Sequence, residues 1–183
     1  MHSAPGPVSE LVVSRLPELR ALARRGPVLD LACGEGRHAL RCAEAGCRVL
    51  GIDRDSAALR ALVQAARARD LPLAGVRADL EAGCDVPVKA GSCGAVLVFR
   101  FLFRPLAAAI QALLSPGGLL LYETFTLRQR ELGYGPKNPA FLLAPGELPG
   151  LFPRLRCEHH WEGRTPGERP LELAQLVARR PLC

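Results

Sequence analysis

Apolar positions fall into long-period and short runs that alternate along the chain. Val8, Leu11, Val12, Leu16 and Leu19 recur at helical spacing, so 9–24 reads as an amphipathic helix closed by Gly26-Pro27. The short run Val28-Leu29-Asp30-Leu31-Ala32 has strand length and leads into Cys33-Gly34-Glu35-Gly36. Residues 37–45 read as a helix stopped by Gly46. A second strand, Cys47 to Ile52, ends at Asp53. Asp55 is a good N-cap for a helix over 56–69, because a carboxylate there satisfies free backbone N–H groups. In that helix Leu59, Leu62, Val63 and Ala66 form the apolar stripe, while Arg60, Gln64 and Arg67 face water.

The pattern continues with a third strand, Leu73 to Ala78, ending at Asp79, and a turn-rich, irregular stretch over 81–93. Ala95 to Phe101 is apolar almost throughout, as in a strand covered on both faces. A helix begins near Pro105, buries Leu106, Ile110, Leu113 and Leu114, and stops at Ser115-Pro116-Gly117-Gly118. Leu119 to Phe125 is the fifth strand, and 126–147 is a loop with a short helical piece. Two last strands, 155–162 and 171–179, flank a turn carrying Gly163, Pro166, Gly167 and Pro170, and read as an antiparallel hairpin. Strands alternating with helices imply an α/β fold. It is a doubly wound, mostly parallel sheet in three α/β/α layers, with an antiparallel C-terminal hairpin.

Composition narrows the picture. With 183 residues, 49% hydrophobic and 23% charged, the chain suits one domain spanning 1–183 and not a disordered protein. No apolar run reaches membrane-spanning length, and MHSAPGPVSE carries no secretory signal pattern, so no membrane association is expected. Of the 24 basic residues only Lys89 and Lys137 are lysines, and the net charge is +6. A coding bias towards arginine explains this, and so would an anionic partner such as RNA. The arginines are scattered, with no basic run, so nucleic acid is not favoured. The seven cysteines include no C-x-x-C pair, which argues against a zinc site or a disulfide framework. Reduced thiols in a cytoplasmic protein are the expectation, with no metal.

In an open parallel sheet, ligands bind beyond the carboxyl ends of the strands. Asp30 to Gly36, Asp53, Asp79, Arg100 to Phe103 and Glu123 to Thr126 stand at those ends. Any one of the carboxylates could be a cap or a solvated turn residue. Three at successive strand ends beside a glycine loop form a non-random set. Gly34-Glu35-Gly36-Arg37-His38-Ala39 fits the G-x-G-x-x-A form of nucleotide-binding turns. Asp53 lies 17 residues past Gly36, the right distance for a second-strand carboxylate that accepts both ribose hydroxyls. Bound adenosine is therefore expected, with the cofactor that carries it still open.

The segment Val28 to Gly36 resembles motif I of class I S-adenosylmethionine-dependent methyltransferases, with Asp30 four residues before Gly34 as the diagnostic feature. Gly51-Ile52-Asp53-Arg54-Asp55, Ala78-Asp79-Leu80 and Leu113 to Leu120 are similar to that family's later motifs, in the same order, and the resemblance spans roughly 10–180. The fold it implies is Rossmann-like. Within the family, Phe99 to Leu106, Tyr122-Glu123-Thr124-Phe125 and Gly135 to Leu143 are similar to the small tellurite-resistance-type branch. Phe101 and Phe103 stand where that branch often has a polar residue, which implies a more apolar acceptor pocket.

The resemblance implies S-adenosylmethionine as cofactor, held by Asp30, Ala32, Cys33, Gly34, Gly36, Asp53, Arg54, Asp79, Leu80 and Phe99. Asp30 would serve the ammonium end, Gly34 and Gly36 would give room, Asp79 would accept from the adenine amino group, and Leu80 would lie against the ring. Arg100, Tyr122 and Glu123 are the catalytic candidates, with Tyr134 and Asn138 as further acceptor contacts. Glu123 could be a base or pair with Arg100 or Arg104. Cys33 is commonly Cys in the motif and is not read as a nucleophile. His38 reads as a helix residue, His159 and His160 as structural strand residues, and Trp161 as hairpin packing. The expected reaction is methyl transfer to a small-molecule acceptor by in-line displacement, with 9–24 and 126–147 closing over the site. The alternatives are an RNA methyltransferase, an NAD(P)-dependent oxidoreductase and a non-catalytic cofactor-binding regulator. Oligomeric state is not legible.

Overall fold

The computed structural model describes residues 6–83 and 85–182. Cys84 and Cys183, two of the cysteines expected to be reduced thiols, lie outside the described residues, as does the segment 1–5 of the N-terminus read for a signal. The other five cysteines are free.

A seven-stranded sheet organises the chain, in the order β3-β2-β1-β4-β5-β7-β6. The strands are β1 (Val28–Leu31), β2 (Val49–Asp53), β3 (Leu73–Arg77), β4 (Cys93–Phe99), β5 (Leu114–Phe125), β6 (Arg156–Arg164) and β7 (Glu172–Arg179). The first five run parallel, and β7 pairs antiparallel with both β5 and β6. This is the Rossmann-like arrangement with a C-terminal hairpin that the sequence predicts. Strand order reverses between β1 and β4, so the crevice beyond their C-terminal ends is the switch point.

Helices cover both faces. On one face α1 (Glu10–Val13), α2 (Leu16–Leu22), α3 (Arg37–Glu44) and α4 (Ser56–Arg67) bury Val12, Leu19, Ala39, Cys42, Leu59 and Leu62 against Leu97, Leu119 and Leu121. On the other, α5 (Ala107–Leu113) and α6 (Glu147–Gly150) bury Ile110, Leu113 and Leu148 against Val96, Val98, Leu120 and Tyr122. Alternation along β5 thus sends Leu119, Leu121 and Glu123 to the first face and Leu120 and Tyr122 to the second. As expected, Asp55 caps α4, its Oδ1 accepting from the N–H groups of Ala57 and Ala58.

Several elements differ from their sequence expectation, among them β4, which runs two residues earlier than the expected 95–101 and leaves Arg100 and Phe101 beyond its end. The helix predicted over 9–24 is two, broken at Ser14-Arg15. Pro17 sits in the first turn of α2, where its missing N–H costs nothing, but it forbids a continuous ladder from α1. Strand β5 begins at Leu114, five residues before the expected start. The Pro116-Gly117-Gly118 excursion is absorbed as an irregularity opposite Cys93–Ala95 and stitched to the chain end: Gly117 donates to the Arg180 carbonyl and Arg180 donates to that of Gly118. The loop over 126–147 holds two 3₁₀ turns, Leu127–Leu132 and Pro139–Phe141, and α6 follows it without a distinct sequence signal.

Candidate active site

The C-terminal ends of the parallel strands open onto two adjoining cavities. One, of about 460 Å³, is lined by Asp53 and Arg54 after β2, by Ala78 to Glu81 after β3, and by an aromatic wall described below. The other, of about 380 Å³, is lined by Asp30, the loop Cys33 to Arg37, His38 and Phe99. Ala32 and Arg100 line both. These two residues follow β1 and β4, and both hold positive φ, 54° and 60°. Non-glycine residues in that region carry strain, and such strain gathers at functional sites.

The glycine loop divides its labour. Gly34 has φ +54°, and a Cβ there would meet nothing within 4 Å, so its bare face opens into the cavity. Gly36 has φ +76°, and a Cβ there would lie 2.3 Å from Leu62 Cδ1. Both glycines line the cavity; the missing side chain opens space into it at Gly34, while at Gly36 it also lets α3 start tight against α4. Asp53 fixes the loop from the neighbouring strand: its Oδ2 accepts from the Gly34 N–H at 2.7 Å and its Oδ1 from the Asp55 N–H at 2.9 Å. Both oxygens keep lone pairs for a diol.

Asp30 is buried beneath the loop and accepts from the Ala39 N–H at 3.1 Å. Burial pushes its pKa up to about 7, opposed by that hydrogen bond and by Arg37. Asp79 is exposed and accepts from the Glu81 N–H, while Leu80 is buried. Arg54 pairs with Glu81 at 2.8 Å. Burial also raises the Cys33 thiol well above its ordinary range, which disfavours the thiolate. Phe99 stacks on His38 with ring centroids 4.0 Å apart. The His38 Nε2 accepts from the Ser9 N–H and the Arg37 Nε–H, and burial holds its pKa down at about 3. The ring is therefore neutral. This ties His38 to the site more closely than the helix role expected of it.

Under Phe99 lies a buried polar cluster. Glu123, 2% exposed, accepts from Ser9 Oγ and Gln175 Nε2, both at 2.7 Å, and pairs with Arg100 Nη2 at 3.2 Å. Of its two expected partners it takes Arg100, because Arg104 pairs with Glu147 instead. The Arg100 guanidinium also lies 4.8 Å from the Phe125 ring centre, and its Nη1 is buried without a hydrogen-bond partner.

Other expected contacts stand apart from the cavities. Tyr122, adjacent to Glu123, points to the opposite face; its hydroxyl donates to the Phe101 carbonyl and its ring packs near Phe152. Tyr134 donates to the Pro170 carbonyl and tethers the loop to the hairpin. Asn138 caps the turn at Pro139–Phe141. His159 and His160 lie on exposed β6, and Trp161 packs over Gly163. Phe103 packs against the second core. Arg37, Phe125, Pro136 and Phe141 line the cavities without having been singled out as site residues. Arg37 was legible as the cation directly after the glycine loop; Phe125 closes β5, and Pro136 and Phe141 depend on how an aperiodic loop packs.

Residues 28–118 match the family described as a methyltransferase domain. The chain carries a methyltransferase domain over this stretch. The acidic strand ends and the glycine loop suit S-adenosylmethionine, the cofactor that the sequence resemblance implies. The chain is similar in structure to TehB from Haemophilus influenzae, with TM-score 0.73 and 17% identity, over 94% of this chain and 62% of that one. It thus spans less than two thirds of the TehB chain. An S-adenosylmethionine-dependent methyltransferase from Methanosarcina mazei gives 0.74 and 18%, over 97% of this chain and 100% of the other. Geranyl diphosphate C-methyltransferase from Streptomyces coelicolor A3(2), solved with S-adenosyl-L-homocysteine, gives 0.66 and 15%, over 92% and 77%. At these identities the likeness establishes the fold. No curated protein matches the sequence.

The methyltransferase's own residues fit the cofactor. The open face of Gly34 leaves room for an amino-acid tail, Asp30 offers a carboxylate to an ammonium, and Asp53 offers one to a diol. Among the described residues, no helix is long and apolar enough to cross a membrane.

Proposed function

We propose that the chain moves the methyl group of S-adenosylmethionine to a small-molecule acceptor in the cytoplasm. The observation that carries this reading is the pair of cavities joined at Ala32 and Arg100, one edged by Asp53, Asp79 and Leu80, the other by Asp30 and Gly34. Asp53 would hold the ribose, Asp79 and Leu80 the adenine, and Asp30, Gly34 and Phe99 the amino-acid tail. The cofactor supplies a methyl carbon already activated by a sulfonium, which leaves the protein the task of alignment.

Glu123 fits positioning better than proton removal. It is buried, charge-paired with Arg100, and accepts from Ser9 and Gln175. Its role would be to hold Arg100 at the junction of the cavities and to clamp the start of α1 over Phe99. Tyr122 would act through the Phe101 carbonyl that it orients. A cavity of about 460 Å³ suits a small acceptor, and the scattered arginines form no basic run for RNA.

Titration calorimetry with S-adenosylmethionine, S-adenosylhomocysteine and reduced nicotinamides tests the cofactor. Only the first two should bind, and Asp53→Asn should weaken both by roughly 10- to 100-fold, the worth of a charged hydrogen bond. Incubation with methyl-labelled cofactor and cell extract then tests the acceptor: label should enter the small-molecule fraction, and label in RNA or protein would reject the reading.

A further inference from the structure

Asp53, Asp79 and Leu80 occupy one end of the larger cavity. At its other end Phe101 after β4, Phe125 at the end of β5, and Pro136 and Phe141 from the 126–147 loop converge. Adenosine recognition leaves these four without a task. Phe141 is 45% exposed, one of two large apolar side chains so exposed among the described residues. Its exposure is built in. Arg104 donates to the carbonyls of Ala140 and Leu142 on either side of it, both at 2.9 Å, and is pinned by Glu147. Leu142 and Leu143 beyond it are fully buried. An aromatic ring whose flanking backbone is anchored in this way at a cavity wall is placed to meet a ligand that enters the cavity.

Charge narrows the occupant. The acidic groups of the cavity lie at the adenosine end, and Arg54 there is matched by Glu81. At the aromatic end the cation is Arg100, stacked on Phe125 and paired through Nη2 with Glu123, while its Nη1 is buried and unpartnered. It adjoins the place where the two cavities meet.

Resting on the function proposed above, we infer that the acceptor is a small aromatic compound whose nucleophile is an oxygen or sulfur anion. Its ring packs among Phe101, Phe125 and Phe141, and its anionic atom faces Arg100. The acceptor's proton leaves to solvent before transfer. The anion's electron pair forms the new bond to the methyl carbon as the carbon–sulfonium bond breaks, and that bond's pair stays on the cofactor sulfur, which ends neutral. No side-chain base is required, because the guanidinium favours the ionised form of the acceptor.

The test is a turnover panel, with S-adenosylhomocysteine release as readout. Thiophenol and 4-nitrophenol represent aryl anions, aniline a neutral aryl nucleophile, and 2-mercaptoethanol a polar thiol. At least one aryl anion should exceed aniline and 2-mercaptoethanol by about ten-fold or more in kcat/KM. Phe141→Ser, at an exposed position, should raise its KM about ten-fold without altering the calorimetric Kd of S-adenosylmethionine. Arg100→Gln should narrow the preference for the anion over aniline. Aniline or 2-mercaptoethanol used as well as the aryl anions overturns the inference. So does an aryl set that neither turns over nor gives binding heat with the cofactor complex. A protein that binds no S-adenosylmethionine overturns the function itself, an outcome distinct from either.

Discussion

Arg100 and Glu123 are joined twice across neighbouring strands: the Arg100 backbone N–H donates to the Glu123 carbonyl at 2.8 Å, and its guanidinium pairs with the carboxylate at 3.2 Å. The backbone bond holds Arg100 in its left-handed conformation, and the ion pair aims the side chain over Phe125. Removing the buried carboxylate strands a guanidinium and leaves Ser9 and Gln175 without their acceptor. Glu123→Ala should therefore cost about 2–4 kcal/mol in urea unfolding. Glu123→Gln retains the shape and should cost less while still lowering kcat/KM. Equal stability of Glu123→Ala and wild type would show that the cluster carries no weight.

Gly34 and Gly36 should fail differently when changed to alanine. Both pay for positive φ, about 1–2 kcal/mol each. At Gly36 the added methyl also collides with buried Leu62, 2.3 Å away, which adds about 1–3 kcal/mol of overpacking. At Gly34 it projects into open cavity. Gly36→Ala should thus lower Tm much more than Gly34→Ala. Gly34→Ala should fold and bind S-adenosylmethionine roughly ten-fold more weakly. Thermal unfolding and calorimetry on the two variants check the contrast.

The parts of this arrangement that were legible in the sequence are those with a period or a spacing. Strands β1 to β4 show as apolar runs, and Asp30, Asp53 and Asp79 show because each stands at or near the C-terminal end of one. The cap at Asp55 was legible for the same reason. What stayed hidden depends on tertiary contacts. Tyr122 and Glu123 are neighbours in sequence, yet the pleat sends one to each face, and only Glu123 lies beneath the site. Phe141 sits in a stretch without periodicity, and its place at the cavity follows from Arg104, 37 positions earlier, bonding the backbone around it. The absorption of Pro116-Gly117-Gly118 into β5 likewise required Arg180 at the far end of the chain.

Asp30 should make cofactor binding pH-dependent. Its carboxyl is raised from 3.8 to about 7 by burial, with Asp53 raising it further and Arg37 opposing. A raised folded-state value favours the protonated acid, so the free protein gains stability from Asp30 below its unfolded value and loses it as pH rises from about 4 to about 7. A ligand ammonium prefers the carboxylate, so binding expels a proton whenever Asp30 holds one. Affinity for S-adenosylmethionine should rise with pH up to about 7, by at most ten-fold per unit. Calorimetry in two buffers of different ionisation heat should register the released proton. Asp30→Asn should flatten the profile; an unchanged slope in that variant would assign the titration elsewhere.

Arg104 should govern the acceptor end alone. It bridges β4's outlet to the loop through the Ala140 and Leu142 carbonyls and to the start of α6 through Glu147. Glu147 in turn accepts from the Ala144 N–H, and pairing with Arg104 draws its pKa below the ordinary carboxylate range. Arg104→Ala leaves these backbone groups to water and frees the turn that presents Phe141. The half-exposed position and the wet surroundings limit the stability loss to about 1 kcal/mol. Loop order should suffer more: limited proteolysis should cut near 136–141 sooner than in wild type. KM for the aromatic acceptor should rise about as much as in Phe141→Ser, while the cofactor's Kd stays put, because Asp30, Asp53 and Asp79 are held by other contacts. Were Kd and KM to rise together, the two ends of the larger cavity would be mechanically one, and the separation of acceptor from cofactor binding would fail.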